Sequence, residues 1–356
     1  MKGAFRILKV WGIDLDIHIT FLILPIFFWY MHGFTGLFVI FAVFTCVAAH
    51  ELTHSVVAKS FGIQVDRITL LPIGGIANMR SLPQTPKEEF MISISGPLFN
   101  IILAIILYLP LKSILGFDAL MNPSLNSWPG AIAYAFWINP VLAGFNLLPA
   151  FPMDGGRIFR SLLATKLSYK KATKIAALFG HIFAVIFAFV ALSMQPPNFI
   201  LLLIALFIFQ AASQENSTAV LKDALDRVRV GDVLVEDFYT LSSEASIEEA
   251  LNIALHAHQK DFPVVDLDNN TVGFLPHEKI AVAVKSKELD RKVGDLMIKE
   301  SVYLESKDLL SKSYIKIENN GLRALPVIDN GILRGVLTLE DISKAYTLYS
   351  RNNNRR

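Results

Sequence analysis

Read for its apolar and polar positions, the chain divides into two stretches of different character. Residues 12–212 hold long apolar runs with few charges; from residue 223 onward charged positions recur every few residues. In the first stretch, apolar runs at 19–31, 34–60, 90–109, 132–148, 172–194 and 199–212 predict membrane-crossing helices. About 20 mostly apolar residues span a bilayer core, and the first run is short by that measure. Two segments break the helical pattern. Residues 4–17 alternate loosely through Phe5, Ile7, Val10, Ile13, Leu15 and Ile17, which predicts a strand ahead of the first span. Residues 63–80 carry Val65, Ile68 and Leu70 ahead of Pro72-Ile73-Gly74-Gly75, which predicts strand and loop. At membrane depth that means a re-entrant loop or an edge strand, tolerated only where protein or a water-filled cavity covers the backbone.

The second stretch repeats itself. Val230-Gly231-Asp232 recurs as Val293-Gly294-Asp295, Pro263-Val264-Val265-Asp266 as Pro326-Val327-Ile328-Asp329, and Gly273-Phe274-Leu275 as Gly335-Val336-Leu337. The offset is constant to within one residue, so two units of strand, helix, strand, strand and helix follow each other. The expected fold is therefore a polytopic α-helical membrane protein. It has about six transmembrane helices and a small membrane-associated β element, followed by an α/β pair. The expected boundaries are a membrane domain at 1–212, a helical linker at 213–227, repeats at 228–289 and 290–350, and a disordered tail at 351–356.

Composition agrees with this division. Hydrophobic residues make up 53% of the chain and charged residues 18%, and mean hydropathy is +0.47, as in membrane proteins. A net charge of +2 is too small to suggest nucleic-acid binding. The single cysteine, Cys46, excludes an internal disulfide and reads as a small buried thiol. Lys2, Arg6 and Lys9 precede an apolar run interrupted by Asp14 and Asp16, with no small-residue cleavage pattern, so the first span is expected to be retained. Lys and Arg also gather between spans two and three (Lys59, Arg67, Arg80, Lys87). They gather again between spans four and five (Arg157, Arg160, Lys166, Lys170, Lys171), whereas the alternate loops hold only Lys112. By the positive-inside pattern, both termini are expected in the cytoplasm of a multi-pass cell-membrane protein.

Candidate chemistry lies inside the second span, at His50-Glu51-Leu52-Thr53-His54. On a helix, His50 and His54 leave one face a turn apart and offer two nitrogen ligands to zinc. Glu51 stands beside them as a base for a water that the metal activates. Polar groups at this depth are costly unless they serve a site. For the third ligand, Asp154 is the best candidate. It is the only carboxylate between Asp118 and Glu215, follows the proline-broken end of span four, and falls on the same side as the histidines. The competing role for Asp154 is a helix cap. Asn146, one turn before Pro149, offers an amide to hold an extended peptide or an oxyanion; the competing role is a contact between helices. Gly96 and Asn100 share a face where another helix can approach closely.

Together, His50 to His54, Gly96 to Asn100, and Asn146 through Asp154-Gly155 resemble the motifs of the site-two protease family of intramembrane zinc metalloproteases. The branch resembled carries a carboxyl-terminal CBS pair and includes the sporulation pro-sigma-factor protease. The resemblance implies one Zn2+ per chain on His50, His54 and Asp154, with Glu51 as general base and acid. It also implies Asn146 as a substrate-holding residue. Pro72-Ile73-Gly74-Gly75 resembles the family's re-entrant loop, placing Gly74 and Gly75 at the substrate. The implied substrate is a single-span, membrane-tethered regulatory protein. The repeats are similar to CBS motifs, which often bind ATP or another adenine nucleotide. Thr338 and Asp341 would then stand at the ribose, while the first repeat has Lys279 where the aspartate would be. A pair without ligand would be a scaffold or the seat of a homodimer. The rival class is a CBS-gated ion channel or transporter, with His50, Glu51, His54 and Asp154 lining a cation path.

Overall fold

A computed structural model describes residues 3–353 except 73, 80–82, 258 and 300–301. Lys2 and Arg80 of the basic pattern, and Ile73 of the glycine turn, lie outside these residues. The chain forms two compact units, residues 1–219 and 220–356.

The first unit opens on a hairpin, β1 (Ala4–Val10) and β2 (Ile13–His18), where the alternating pattern predicts one strand. The chain turns at Trp11 and Gly12, both at positive φ (48° and 80°), the backbone that a two-residue turn between antiparallel strands requires. Helix α1 (Ile23–Ser60) follows, and Gly33 within it is non-helical at φ 62°, ψ −142°. The chain reverses there. Phe21 packs edge-on against Phe44 with ring centroids 4.5 Å apart, and Gly36 closes on the Phe28 carbonyl. Residues 23–32 and 34–60 are thus two arms of a helical hairpin. β3 (Val65–Leu71) and β4 (Gly74–Met79) complete a four-stranded sheet in the order β1-β2-β3-β4, parallel only between β2 and β3. Ile13, Ile63, Val65 and Ile68 bury one face of this sheet against Ala58 and Ile92 of the helices. β4 is an edge strand.

The helices α2 (Pro86–Leu115), α3 (Phe117–Met121), α4 (Trp128–Asn146), α5 (Asp154–Ala164) and α6 (Tyr169–Ser193), with residues 199–219 of the next helix, complete the unit. α7 (Phe199–Leu225) leads into the second unit. Among the described residues, four stretches are long and apolar enough to cross a membrane: Ile19–Ser60, Pro86–Leu115, Tyr169–Ser193 and Phe199–Leu225. The first has 42 residues. As one straight helix it would be about 60 Å long, twice a bilayer core of about 30 Å, so its division at Gly33 matters. α4 falls short because Asn139, Asn146 and two prolines dilute its apolar residues. Arg160, counted above among the loop charges, is instead buried. Its Nε donates to Glu89 Oε1 at 2.8 Å and its NH1 to Glu215 Oε2 at 3.1 Å, joining α2, α5 and α7.

In the second unit, β5 (Leu241–Ser242), α8 (Ile247–His256), β6 (Phe262–Val265), β7 (Thr271–Leu275) and α9 (His277–Lys285) form the first repeat. After α10 (Val293–Leu296), α11 (Leu310–Asn319), β8 (Ala324–Asp329), β9 (Ile332–Thr338) and α12 (Leu339–Asn353) form the second. The halves exchange segments. Leu225, Val228 and Val230 lie in the core of the second repeat, and Val293 lies in the core of the first. α12 continues to Asn353, into the segment expected to be disordered, because no proline or glycine precedes residue 354 to stop it.

Candidate metal centre

The 34–60 arm of α1 carries His50, Glu51 and His54. Both histidines are buried. Asp154 is the first residue of α5, but Met153 takes the N-cap position and no side chain caps this helix. The Asp154 carboxylate is used differently. Its Oδ2 lies 3.1 Å from His50 Nε2 and 3.1 Å from His54 Nε2, and the two Nε2 atoms are 3.1 Å apart.

The far nitrogen of each ring fixes which atoms meet in this triangle. His54 Nδ1 lies 2.6 Å from the Ile92 carbonyl oxygen, which can only accept, so His54 carries its proton on Nδ1. Ser95 stands beside it, its hydroxyl donating to the same carbonyl at 2.6 Å. His50 Nδ1 lies 2.5 Å from Asn100 Oδ1, and the Asn100 amide donates to Asn139 Oδ1 at 2.9 Å. His50 is therefore also protonated on Nδ1. Two imidazole lone pairs and a carboxylate oxygen face one another, which is repulsive unless a cation lies among them. Zinc bonds of about 2.0–2.1 Å set tetrahedral ligand atoms about 3.3–3.4 Å apart, close to the observed spacing. Hydrogen bonding of the outer ring nitrogen is the usual support of a metal-binding histidine.

Room for an ion comes from Gly96. A Cβ on that residue would lie 2.7 Å from His50 Nε2 and nearer still to His54 Nε2. α2 thus passes the triangle with bare backbone where a side chain would fill the space. The edge strand approaches from elsewhere. A Cβ on Gly75 would lie 2.6 Å from Glu51 Cγ, so β4 runs directly against the Glu51 side chain. Gly74 opens the same strand.

The structure does not bring every expected residue to this point. Asn146 ends α4, and its amide donates to the Leu142 carbonyl of its own helix at 3.0 Å. Cys46 is half-buried, and its thiol is in none of the hydrogen bonds of the histidines or Asp154. Asn139, buried on α4 behind Asn100, was missed by sequence reasoning. Its only signal is an amide in an otherwise apolar helix, seven residues before Asn146. In the second unit, Thr338 Oγ1 donates to Asp341 Oδ2 at 2.6 Å, and Asp341 N donates back to Thr338 Oγ1 at 3.1 Å, a reciprocal cap on α12. The matching start of α9 has Pro276 as N-cap and borrows Asp261, whose Oδ1 accepts from His277 N at 2.9 Å. Burial pushes the Asp261 carboxyl up, and the His277 amide offsets part of that. Lys279 is exposed there.

The chain matches Peptidase family M50 over residues 38–126 and 121–187, and the CBS domain over 230–286 and 293–347. A zinc metalloprotease of Methanocaldococcus jannaschii is 32% identical over 360 residues, covering 98% of this chain and 97% of that protein. Stage IV sporulation protein FB of Bacillus subtilis is 31% identical over 130 residues, 36% of this chain and 41% of that protein. The solved site-2 protease from Methanocaldococcus jannaschii is 38% identical and covers 60% of this chain and 95% of its own, with a TM-score of 0.45. The family matches, the relatives and the apolar helices define a membrane zinc metalloprotease with a CBS pair. The chain belongs to peptidase family M50, the site-2 proteases. An enzyme of this family is not the channel or transporter considered above.

Proposed function

We propose that the protein is an intramembrane endopeptidase that cuts the transmembrane segments of single-span, membrane-tethered regulatory proteins. The observation that carries this reading is the triangle of lone-pair atoms from His50, His54 and Asp154, with Glu51 next to His50 and an edge strand against it. His50, His54 and Asp154 would hold the zinc. When bound, zinc supplies a Lewis acid for a peptide carbonyl and acidifies water enough for attack near neutral pH. Glu51 takes the proton of the attacking water and returns it to the leaving amine. A helical substrate hides its carbonyls and must unwind; β4, with Gly74 and Gly75, offers it backbone partners by strand addition. Asn146 would hold the opened peptide after leaving its own helix carbonyl.

In this reading the chain crosses the membrane six times, with the two arms of α1 and with α4 completing the count. The basic loops support both termini lying in the cytoplasm. The CBS pair reads an adenine nucleotide through Thr338 and Asp341, and a homodimer through that pair belongs to the same proposal. The test is metal content and cleavage together. Purified protein should hold one zinc per chain and cut a single-span substrate. Glu51→Gln should keep the zinc and lose cleavage by about 10²–10⁴-fold, the range of a general acid–base group. Cleavage retained in Glu51→Gln would defeat the proposal.

A further inference from the structure

Asn139 lies in none of the motifs above, yet it is 1% exposed inside an apolar helix, and its partner Asn100 is fully buried. An uncompensated amide at such a place costs free energy and calls for an explanation. Its hydrogen bonds form a line of single polarity. The Ala135 carbonyl can only accept, so Asn139 directs its NH2 there, at 3.4 Å. Asn139 Oδ1 is left to face Asn100 and accepts from its NH2 at 2.9 Å. That in turn leaves Asn100 Oδ1 for His50, 2.5 Å from Nδ1. Reversing either amide would set two donors or two acceptors face to face. The line crosses α4, α2 and α1 and ends at the nitrogen that decides the His50 tautomer.

We infer that Asn139 is a positioning residue of the metal centre: by fixing the Asn100 amide it holds the His50 proton on Nδ1 and keeps Nε2 bare. Asn139 touches neither metal nor substrate, and acts only through Asn100. The inference rests on the metal reading of the triangle, and the experiment separates the two.

The experiment measures zinc affinity of the full chain in detergent by competition with a chelator, in a double-mutant cycle. Asn139→Leu removes the line's anchor at similar size and should weaken zinc binding about 10–100-fold, as loss of an outer partner does elsewhere. In an Asn100→Leu background the line is already cut, and Asn139→Leu should cost nothing more. Asn139→Asp, protonated in this buried place, can donate to Ala135 and accept from Asn100, and should stay within a few fold of the parent. The cobalt-substituted protein should show altered visible absorption in Asn139→Leu and not in Asn139→Asp. A packing role predicts the opposite order, because Leu suits an apolar helix better than Asp. Unchanged affinity in Asn139→Leu, or an equal further loss in the Asn100→Leu background, overturns the inference. If the parent chain binds no zinc, it is the metal reading that fails. If Asn139→Leu alone does not fold, the comparison within the Asn100→Leu background still decides.

Discussion

Gly96 shows how a single residue can define the centre without contributing an atom to it. Replacing it by alanine puts a methyl group beside both Nε2 atoms, where an ion would sit. In a helix interior the same change favours the fold by about 0.5–1 kcal/mol. Here, however, the methyl group would meet both buried, hydrogen-bonded rings at under 3.0 Å and force them to shift, so Gly96→Ala is expected to abolish zinc binding and to forfeit that gain, leaving the metal-free protein no more stable than the parent. Metal analysis beside a melting curve in chelator checks both, and one zinc per chain in Gly96→Ala would refute the cradle. At this scale the sequence was most legible where helical geometry alone fixes distance. His50 and His54 are a turn apart on any helix, and Asp154 was conspicuous as a lone carboxylate in an apolar stretch. Asn139 was not legible, because its partner Asn100 sits on another helix, and no spacing along the chain encodes a contact between two helices.

The elements were legible in kind and misjudged in connection. The strand expected before the first span is a hairpin, since Trp11-Gly12 lacks the Asn-Gly or Asp-Gly signature that marks such turns. The strand-and-loop segment after α1 is β3 and β4, and their order in the sheet moves the substrate hypothesis. Ile68 and Leu70, the apolar positions that predict this strand, are buried in the inner strand β3 between β2 and β4. Proline there would break the sheet itself. The open edge is β4, where Ile76 is 47% exposed. Backbone N–H groups of an edge strand point alternately inward and outward. Of prolines placed in turn at Ile76 and Ala77, one therefore removes an outward donor and leaves the ladder to β3 intact. That variant should keep its zinc and lose at least about tenfold in cleavage, by about 1.4 kcal/mol of lost pairing. Wild-type cleavage by both variants, each with zinc bound, would end the strand-addition model.

Over the whole molecule, the second unit gives the sharpest asymmetry between two copies of one motif. The repeat was legible from paired residues, whereas the exchange of segments between its halves was not. Leu225 and Val230 belong in space to the later repeat and Val293 to the earlier one, which pattern along the chain cannot reveal. Both helices that follow the last strands have a glutamate in the first turn, Glu278 and Glu340, but at the next position only the second repeat has a carboxylate. Asp341 is there, held by Thr338, and Lys279 stands at the matching place in the first. If the pair reads an adenine nucleotide through that position, the ribose hydroxyls have one carboxylate to meet there. Titration of ATP by calorimetry should then give one site per chain, lost in Asp341→Ala and kept in Lys279→Ala. Asp341 also caps α12, so its removal lowers stability by about 1 kcal/mol without any ligand. The deciding quantity is therefore the stabilisation that nucleotide adds. At a ligand concentration of about 100 Kd this should be about 2.7 kcal/mol in the parent and in Lys279→Ala, and nil in Asp341→Ala. Two sites per chain, or a full increment in Asp341→Ala, would place nucleotide elsewhere and leave Thr338 and Asp341 as a helix cap.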